Sequence, residues 1–199
     1  MSQGVAGIRI IKDPEVAKLF ADENRRRILH MLRHQEMSTT DLAKALDKNH
    51  SSIQHHLNLL IAAGLVESTK EEKVRNMVQS FYRATAQRFL ISYSLTESLA
   101  KDDGYAQWRE DMLQRMYEGF GTFGVKVPGE KRGRVMELMD TCTERQRKSF
   151  EEIVEQQSDP AKLDKQVEKA LIQLMTNIKL SRDKDYTAAI KELDKLIGI

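Results

Sequence analysis

Residues 38–65, STTDLAKALDKNHSSIQHHLNLLIAAGL, have the pattern of two helices joined by a three-residue turn. The first is opened by Ser38-Thr39-Thr40-Asp41, an S-x-x-D box. In such a box the Ser38 hydroxyl accepts from the Asp41 N–H while the Asp41 carboxylate accepts from the Ser38 N–H. Leu42, Ala45 and Leu46 then form a short apolar face. Asp47-Lys48-Asn49 interrupts it, and Asn49 suits the N-cap of the next helix. In that helix Ile53, Leu57, Leu60 and Ile61 recur at helical spacing and are expected in the core. Gly64 fits the left-handed position after the helix, with Leu65 packing behind it.

The other face of the second helix is short and polar. Ser51, His55 and Asn58 lie on it, with Gln54 at its flank and His50 near its start. Side chains of this length reach base edges in a major groove, and Gln and Asn can pair bidentately with adenine. Asn49, His50, Ser51, Ser52, Gln54, His55 and Asn58 are therefore the candidate DNA-contacting residues of this helix. Downstream, Leu65 to Thr69 and Met77 to Arg83 have the character of two short strands around a charged loop, Lys70 to Asn76. That is a β-hairpin wing, and Lys70, Lys73 and Arg75 at its tip are candidates for phosphate or minor-groove contact. Upstream, Pro14 to Asp22 and Glu23 to His34 are two further helical stretches. Their apolar faces comprise Val16, Leu19 and Phe20, then Ile28, Leu29, Met31 and Leu32.

The stretch from Val16 to Arg83 resembles the ArsR-type winged helix-turn-helix of bacterial and archaeal repressors. The resemblance is carried by LFADENRRRILHMLRHQEMSTTDLAKAL, then HSSIQHHLNLLIAAGLVES, then the strand ending in SFYRAT. It implies a dimeric DNA-binding transcription factor with the His50–Ala63 helix in the major groove and His55 facing DNA. It also implies a partly buried His56, and a structural helix opened by Asn24-Arg25-Arg26-Arg27 in which Arg25 or Arg26 can touch phosphate. Metal-sensing members of the family carry a Cys-x-Cys pair just before an Asp-Leu in the first helix of the motif. Here Ser38 and Thr40 stand in those places. Neutral hydroxyls are poor ligands for soft metals, so no metal site and no cofactor are expected.

A chain of 199 residues with 40% hydrophobic and 31% charged residues has enough length for a proper core and the composition of a helix-rich soluble protein. Net charge is +2, unevenly divided: residues 1–100 carry 14 Lys+Arg against 11 Asp+Glu, and the remainder 18 against 19. Affinity for nucleic acid must then come from dimerisation and a localised basic surface more than from bulk charge. With neither a signal peptide nor an apolar run of membrane-spanning length, the cytoplasm is the expected compartment. The lone Cys142 excludes an intramolecular disulfide. At the N-terminus Ile8, Ile10 and Ile11 suit a short strand or arm, pairing across a dimer or packing on its own domain.

After Ala86 the expectation is all-helical: a connector over roughly 86–100 containing Phe89, Leu90, Tyr93 and Leu95, then the break Lys101-Asp102-Asp103-Gly104. The next helix holds Tyr105, Trp108, Met112, Met116, Tyr117 and Phe120, and Gly119 to Gly129 is a loop. A long helix from Lys131 to Gln157 follows, then one started by Asp159-Pro160 carrying Val167, Leu171, Leu174, Met175 and Ile178. A last helix, Tyr186 to Ile197, has Ile190, Leu193 and Ile197 in register. The fold class is thus mainly α, with a winged helix-turn-helix domain over 1–86 and a helical dimerisation domain over 87–199. Trp108, Met112, Met116, Phe120 and Phe123 are the candidate lining of an apolar effector pocket, since Met suits ligands of variable shape; Met and aromatic residues at this spacing equally suit a plain core.

His55 and His56 are adjacent on a helix and point apart, and His30 and His34 have no nearby Cys or carboxylate to complete a zinc site. No nucleophile elbow or Cys/His arrangement is present, so catalysis is not expected. The reading is a homodimeric regulator, most simply a repressor, on a pseudo-palindromic operator in double-stranded DNA, released by a small apolar effector. The alternatives are a winged-helix module that docks protein partners and a chromatin-like protein that coats DNA without sequence preference.

Overall fold

The computed structural model describes residues 6–74, 77–158 and 163–198, in two compact units, Met1–Ile91 and Ser92–Ile199. In the first unit β1 (Ala6–Ile11) leads into α1 (Pro14–Lys18), a 3-10 turn at Leu19–Ala21 and α2 (Glu23–Leu32). Asp13 and Asp22 cap the two helices by accepting from Glu15 N and Arg25 N. The short strand β2 (Met37–Ser38) precedes α3 (Thr39–Leu46) and α4 (His50–Ala62), and β3 (Val66–Val74), β4 (Met77–Ala84) and β5 (Ala86–Ile91) complete the unit. Ile28, Leu32, Leu42, Ile53, Leu57, Leu60 and Leu65 are fully buried, so α2, α3 and α4 close around one apolar centre.

Three sequence expectations are corrected here. The stretch 86–100 is not a connector helix: Ala86–Ile91 is a strand paired in parallel with β1, Ile8 opposite Arg88 and Ile11 opposite Ile91. The boundary between the units accordingly falls after Ile91, not Ala86. A short apolar run is compatible with helix or strand, and the free edge of β1 decides for strand. The same pairing shows that the N-terminal residues pack on their own chain. Second, the wing strands run through the charged stretch, so Lys70 and Lys73 lie on β3 and not in a loop. β3 and β4 are antiparallel with an irregularity between Ser68 and Lys70, and β2 adds a third strand beside β4. Third, Ile61 and Ala45 face outward, Ile61 being 37% exposed, because the buried stripe of each helix is narrower than its apolar content.

The second unit holds α5 (Thr96–Leu99), α6 (Asp103–Gly119), α7 (Arg132–Glu155), α8 (Lys165–Leu180) and α9 (Lys184–Ile197), with 3-10 turns at Tyr93–Leu95, Phe120–Phe123 and Gly129–Lys131. Its core joins Val135, Leu138, Met139 and Cys142 of α7 to Ala189, Leu193 and Ile197 of α9. Leu113, Tyr117 and Phe120 pack against it from the α6 side. Burial raises the Cys142 thiol above its ordinary pKa. Polar ties hold the helices in register: Arg109 to Asp140 (2.7 Å) and Glu144, and Arg134 to Glu192 (2.7 Å). Glu151, buried on α7, accepts from Ser92 Oγ and Tyr93 N, both at 2.6 Å, and fixes the start of the unit. The start signal at Asp159-Pro160 lies outside the described residues; α8 is capped by Asp164, which accepts from Gln166 N and Val167 N. The expected apolar stripe of α8 is not its packed face: Ile172, Thr176 and Leu180 are buried, and Val167, Leu171, Leu174, Met175 and Ile178 are exposed. In α9 the packed residue before Leu193 is Ala189, with Ile190 exposed. No helix among the described residues is long and apolar enough to cross a membrane.

Candidate nucleic-acid interface

The helix pair at residues 39–62 is held by bonds that its own sequence makes. Ser38 Oγ accepts from Asp41 N (3.2 Å), and Asp41 Oδ2 accepts from Ser38 N (3.0 Å) and Ser38 Oγ (2.6 Å). The Ser38 hydroxyl holds the Asp41 carboxyl below its ordinary pKa. Asp47 turns the chain with φ of 51°, a left-handed conformation that Asp tolerates better than most residues. Asn49 Oδ1 then accepts from Ser52 N (2.7 Å) and Ser51 Oγ (2.9 Å). At the far end of α4, Gly64 takes φ of 65° and Leu65 N donates to Leu60 O (2.9 Å).

With Ile53, Leu57 and Leu60 buried, the opposite side of α4 is polar from Ser51 to Asn58. Asn49, His50, Ser51, His55 and Asn58 are exposed, while Ser52 and Gln54 are half-buried. Gln54 Oε1 accepts from Thr39 Oγ1 of α3 (3.0 Å), and Gln54 Nε2 donates to Asn58 Oδ1 (2.9 Å). One amide hydrogen and one lone pair of Gln54 are left over, which is what a bidentate pair to adenine requires. Thr39, buried and adjacent to the cap, is an orienting residue that sequence reasoning did not single out.

The wing is tied to this pair by Gln79 Nε2, which donates to Ser38 Oγ. Lys70 is exposed but engaged, bonded to Glu72 Oε1 (2.6 Å), which raises its pKa, and lying 4.7 Å from the Phe81 ring centre. Lys73 is exposed on β3, and Arg75 lies outside the described residues. Arg25 and Arg26 are engaged by carbonyls of the preceding turn: Arg25 Nε donates to Leu19 O, and Arg26 Nη1 to Phe20 O and Ala21 O. Arg9, another residue missed in the sequence, reaches Gly64 O and Thr85 Oγ1 and ties β1 to the end of α4.

His56 is half-buried with Nδ1 unpartnered, and burial lowers its pKa. His55 is exposed, and its ring lies 5.8 Å from that of His56, centre to centre, tilted by 58°. His30 and His34 pack edge to face at 5.1 Å, with Arg33 bonded to His30 Nδ1. Among the described residues no group of three His, Cys, Asp or Glu could hold a metal ion. Ser38 is fully buried in its cap and Thr40 is exposed, so the two hydroxyls do not face a common point. In the second unit Met112, Met116 and Phe123 are exposed, Phe123 by 85%, while Trp108 packs edge-on against Tyr105 and Phe120 against the core. Trp108, Met112 and Met116 follow one another at intervals of four residues as a ridge along α6, and Phe120 and Phe123 stand on the 3-10 turn after it.

The profile of the bacterial regulatory protein arsR family matches residues 22–68. That segment is an ArsR-family helix-turn-helix domain. The cadmium resistance transcriptional regulatory proteins CadC of Listeria innocua and Lactococcus lactis are each 40% identical over 58 residues, covering 29% of this chain and 49% of theirs. The chain therefore spans about half the length of the curated relatives it matches. Reduced HlyU from Vibrio cholerae aligns over 51% of this chain and 84% of its own, at 26% identity and a TM-score of 0.32. The homodimeric winged helix-turn-helix domain Mb0332 from Mycobacterium bovis aligns over 52% and 76%, at 22% identity and 0.31. The ArsR-family assignment thus rests on residues 22–68 themselves; the helices after Ser92 lie beyond the matched segment.

Proposed function

We propose that this chain is a homodimeric transcriptional regulator, a repressor, that reads double-stranded DNA by seating α4 in the major groove. The observation that carries the reading is the outward polar row of α4, with Gln54 held between Thr39 and Asn58 at a fixed angle to the helix. Preorganised amides discriminate bases because no rotamer freedom is lost on contact. Lys73 of the wing supplies backbone contact, and the two copies of α4 address two half-sites. The small charge excess of the first half of the chain does not favour a protein that coats DNA indiscriminately. We assign the effector to the α6 ridge, where Trp108 emission reports occupancy by an apolar compound.

Selection of bound duplexes from a random pool, followed by salt titration on the selected and on random sequence, tests the DNA reading. The selected duplex should bind at least about a thousandfold more tightly. Gln54→Ala or His55→Ala should remove about 1–3 kcal/mol from the selected duplex and little from random DNA. Lys73→Ala should weaken both alike and flatten the salt slope. Equal losses on both duplexes from Gln54→Ala would refute base readout by α4.

A further inference from the structure

Helix α8 has two faces. Ile172, Thr176 and Leu180 are buried on the side that meets α7. Val167, Leu171, Leu174, Met175 and Ile178 lie on the other side, each between 41 and 55% exposed. Of these, Val167, Leu171, Leu174 and Ile178 are spaced by four, three and four residues, the interval that sets side chains in one row for knobs-into-holes contact with another helix.

The borders of the row show what covers it. On the α7 side Glu168 accepts from Gln157 (2.7 Å) and Lys179 pairs with Glu152 (2.5 Å), so both flanking charges are bonded within the chain. On the other side stand Ala170, Gln173 and Asn177, the last two bonded to each other at 3.0 Å. From Ala170 to Ile178 there is no ionisable side chain, in a protein of which 31% is charged. A surface of this kind meets an identical copy without bringing like charges together, and the centres of specific interfaces are depleted of charge in the same way. The row is also self-matching. About a two-fold axis between Leu171 and Leu174, an antiparallel copy sets Leu171 against Leu174 and Val167 against Ile178. The antiparallel sense keeps the Lys165 and Lys169 ends of the two helices apart and opposes their dipoles.

The five side chains expose on the order of 400 Å² per copy, already the size of a patch that marks an interaction site. Two copies together remove on the order of 800 Å² of apolar surface, and the polar rim brings the total to the ~1,000 Å² that a specific interface requires. We infer that the exposed row of α8 is the seam through which two copies of this chain associate, antiparallel; this rests on the homodimer reading and gives it a surface.

The test measures the mass of the full chain in solution at micromolar concentration. The wild type should have twice the 22.9 kDa of the chain, and Leu171→Glu/Leu174→Glu should have 22.9 kDa. Both positions are exposed in the single chain, so circular dichroism should be unchanged. Should the charged pair fail to fold, Leu171→Ala/Leu174→Ala keeps helix propensity and should still weaken the dimer at least tenfold. A double variant that stays dimeric overturns the seam while leaving the homodimer standing. A monomeric wild type overturns both. Spin labels on Gln173→Cys and, separately, Gln166→Cys check the sense of pairing. An antiparallel pair separates the Gln166 labels by about 20 Å along the axis and the Gln173 labels by about 2 Å. Equal distances from the two sites overturn the antiparallel seam.

Discussion

Ser38→Ala should weaken the first unit by about 2 kcal/mol through two separable losses. Its hydroxyl accepts from Asp41 N and is the side-chain half of the α3 cap, whose removal costs about 1 kcal/mol. The same buried oxygen accepts from Gln79 Nε2 of the wing, and leaving that amide unpartnered costs about 1 kcal/mol more. Urea titration followed by far-ultraviolet circular dichroism should show the midpoint falling by about 1 M for an m-value of about 2 kcal/mol/M. Trp108 emission, which belongs to the second unit, serves as the control, and hydrogen exchange at residues 39–46 locates the loss. The effect should depend on pH. The folded-state pKa of Asp41 is depressed, chiefly by the Ser38 hydroxyl, so its contribution is full above the ordinary value of 3.8 and is lost as pH falls through the lower folded value. The gap between wild type and variant should therefore narrow in acid by the share that the Asp41 carboxylate contributes through Ser38 Oγ, while the losses at Asp41 N and Gln79 remain. The coupling of Ser38→Ala with Asp41→Ala should be at least about 0.5 kcal/mol in a double-mutant cycle. Strict additivity, or a loss below about 0.5 kcal/mol at neutral pH, would refute the reciprocal cap.

His56, whose pKa burial lowers from 6.5, stabilises the fold fully above that value and loses the contribution as pH falls through its folded pKa. His56→Gln should flatten the stability profile on the acid side of neutrality, and an unchanged slope in urea titrations at several pH values would contradict the assignment. Val135→Ala empties a fully buried position between α7 and α9 and should cost about 2–3 kcal/mol, read by Trp108 emission in the same unit. Arg9→Ala releases Gly64 O and Thr85 Oγ1 and should speed amide exchange at Ile8–Ile11 at least tenfold, with α4 exchange unaffected outside its last turn.

The capping box, the Asn49 cap, the Gly64 stop and the buried positions Ile53, Leu57 and Leu60 were legible because each is a matter of bonds or periodicity within a few residues. The polar row of α4 follows from the same periodicity. Thr39 and Gln79 were not legible: each acts on a residue in another element, and no local pattern announces which amide a hydroxyl will meet. Arg25 and Arg26 were open to a phosphate role on the resemblance alone, and the carbonyls that engage them belong to a 3-10 turn the periodicity did not reveal.

What the sequence determined by itself was therefore the helix-turn-helix and the order of helices after it, since backbone capping and the 3.6-residue repeat are short-range. Tertiary structure alone decided that 86–91 is a strand, because a strand needs the edge of β1, far away in the chain, to satisfy its backbone. It also decided which side of α8 is packed. That helix carries apolar residues on more than half its circumference, and hydrophobic burial has no direction of its own. The contact with α7 took Ile172, Thr176 and Leu180 and left the Val167–Ile178 row facing outward.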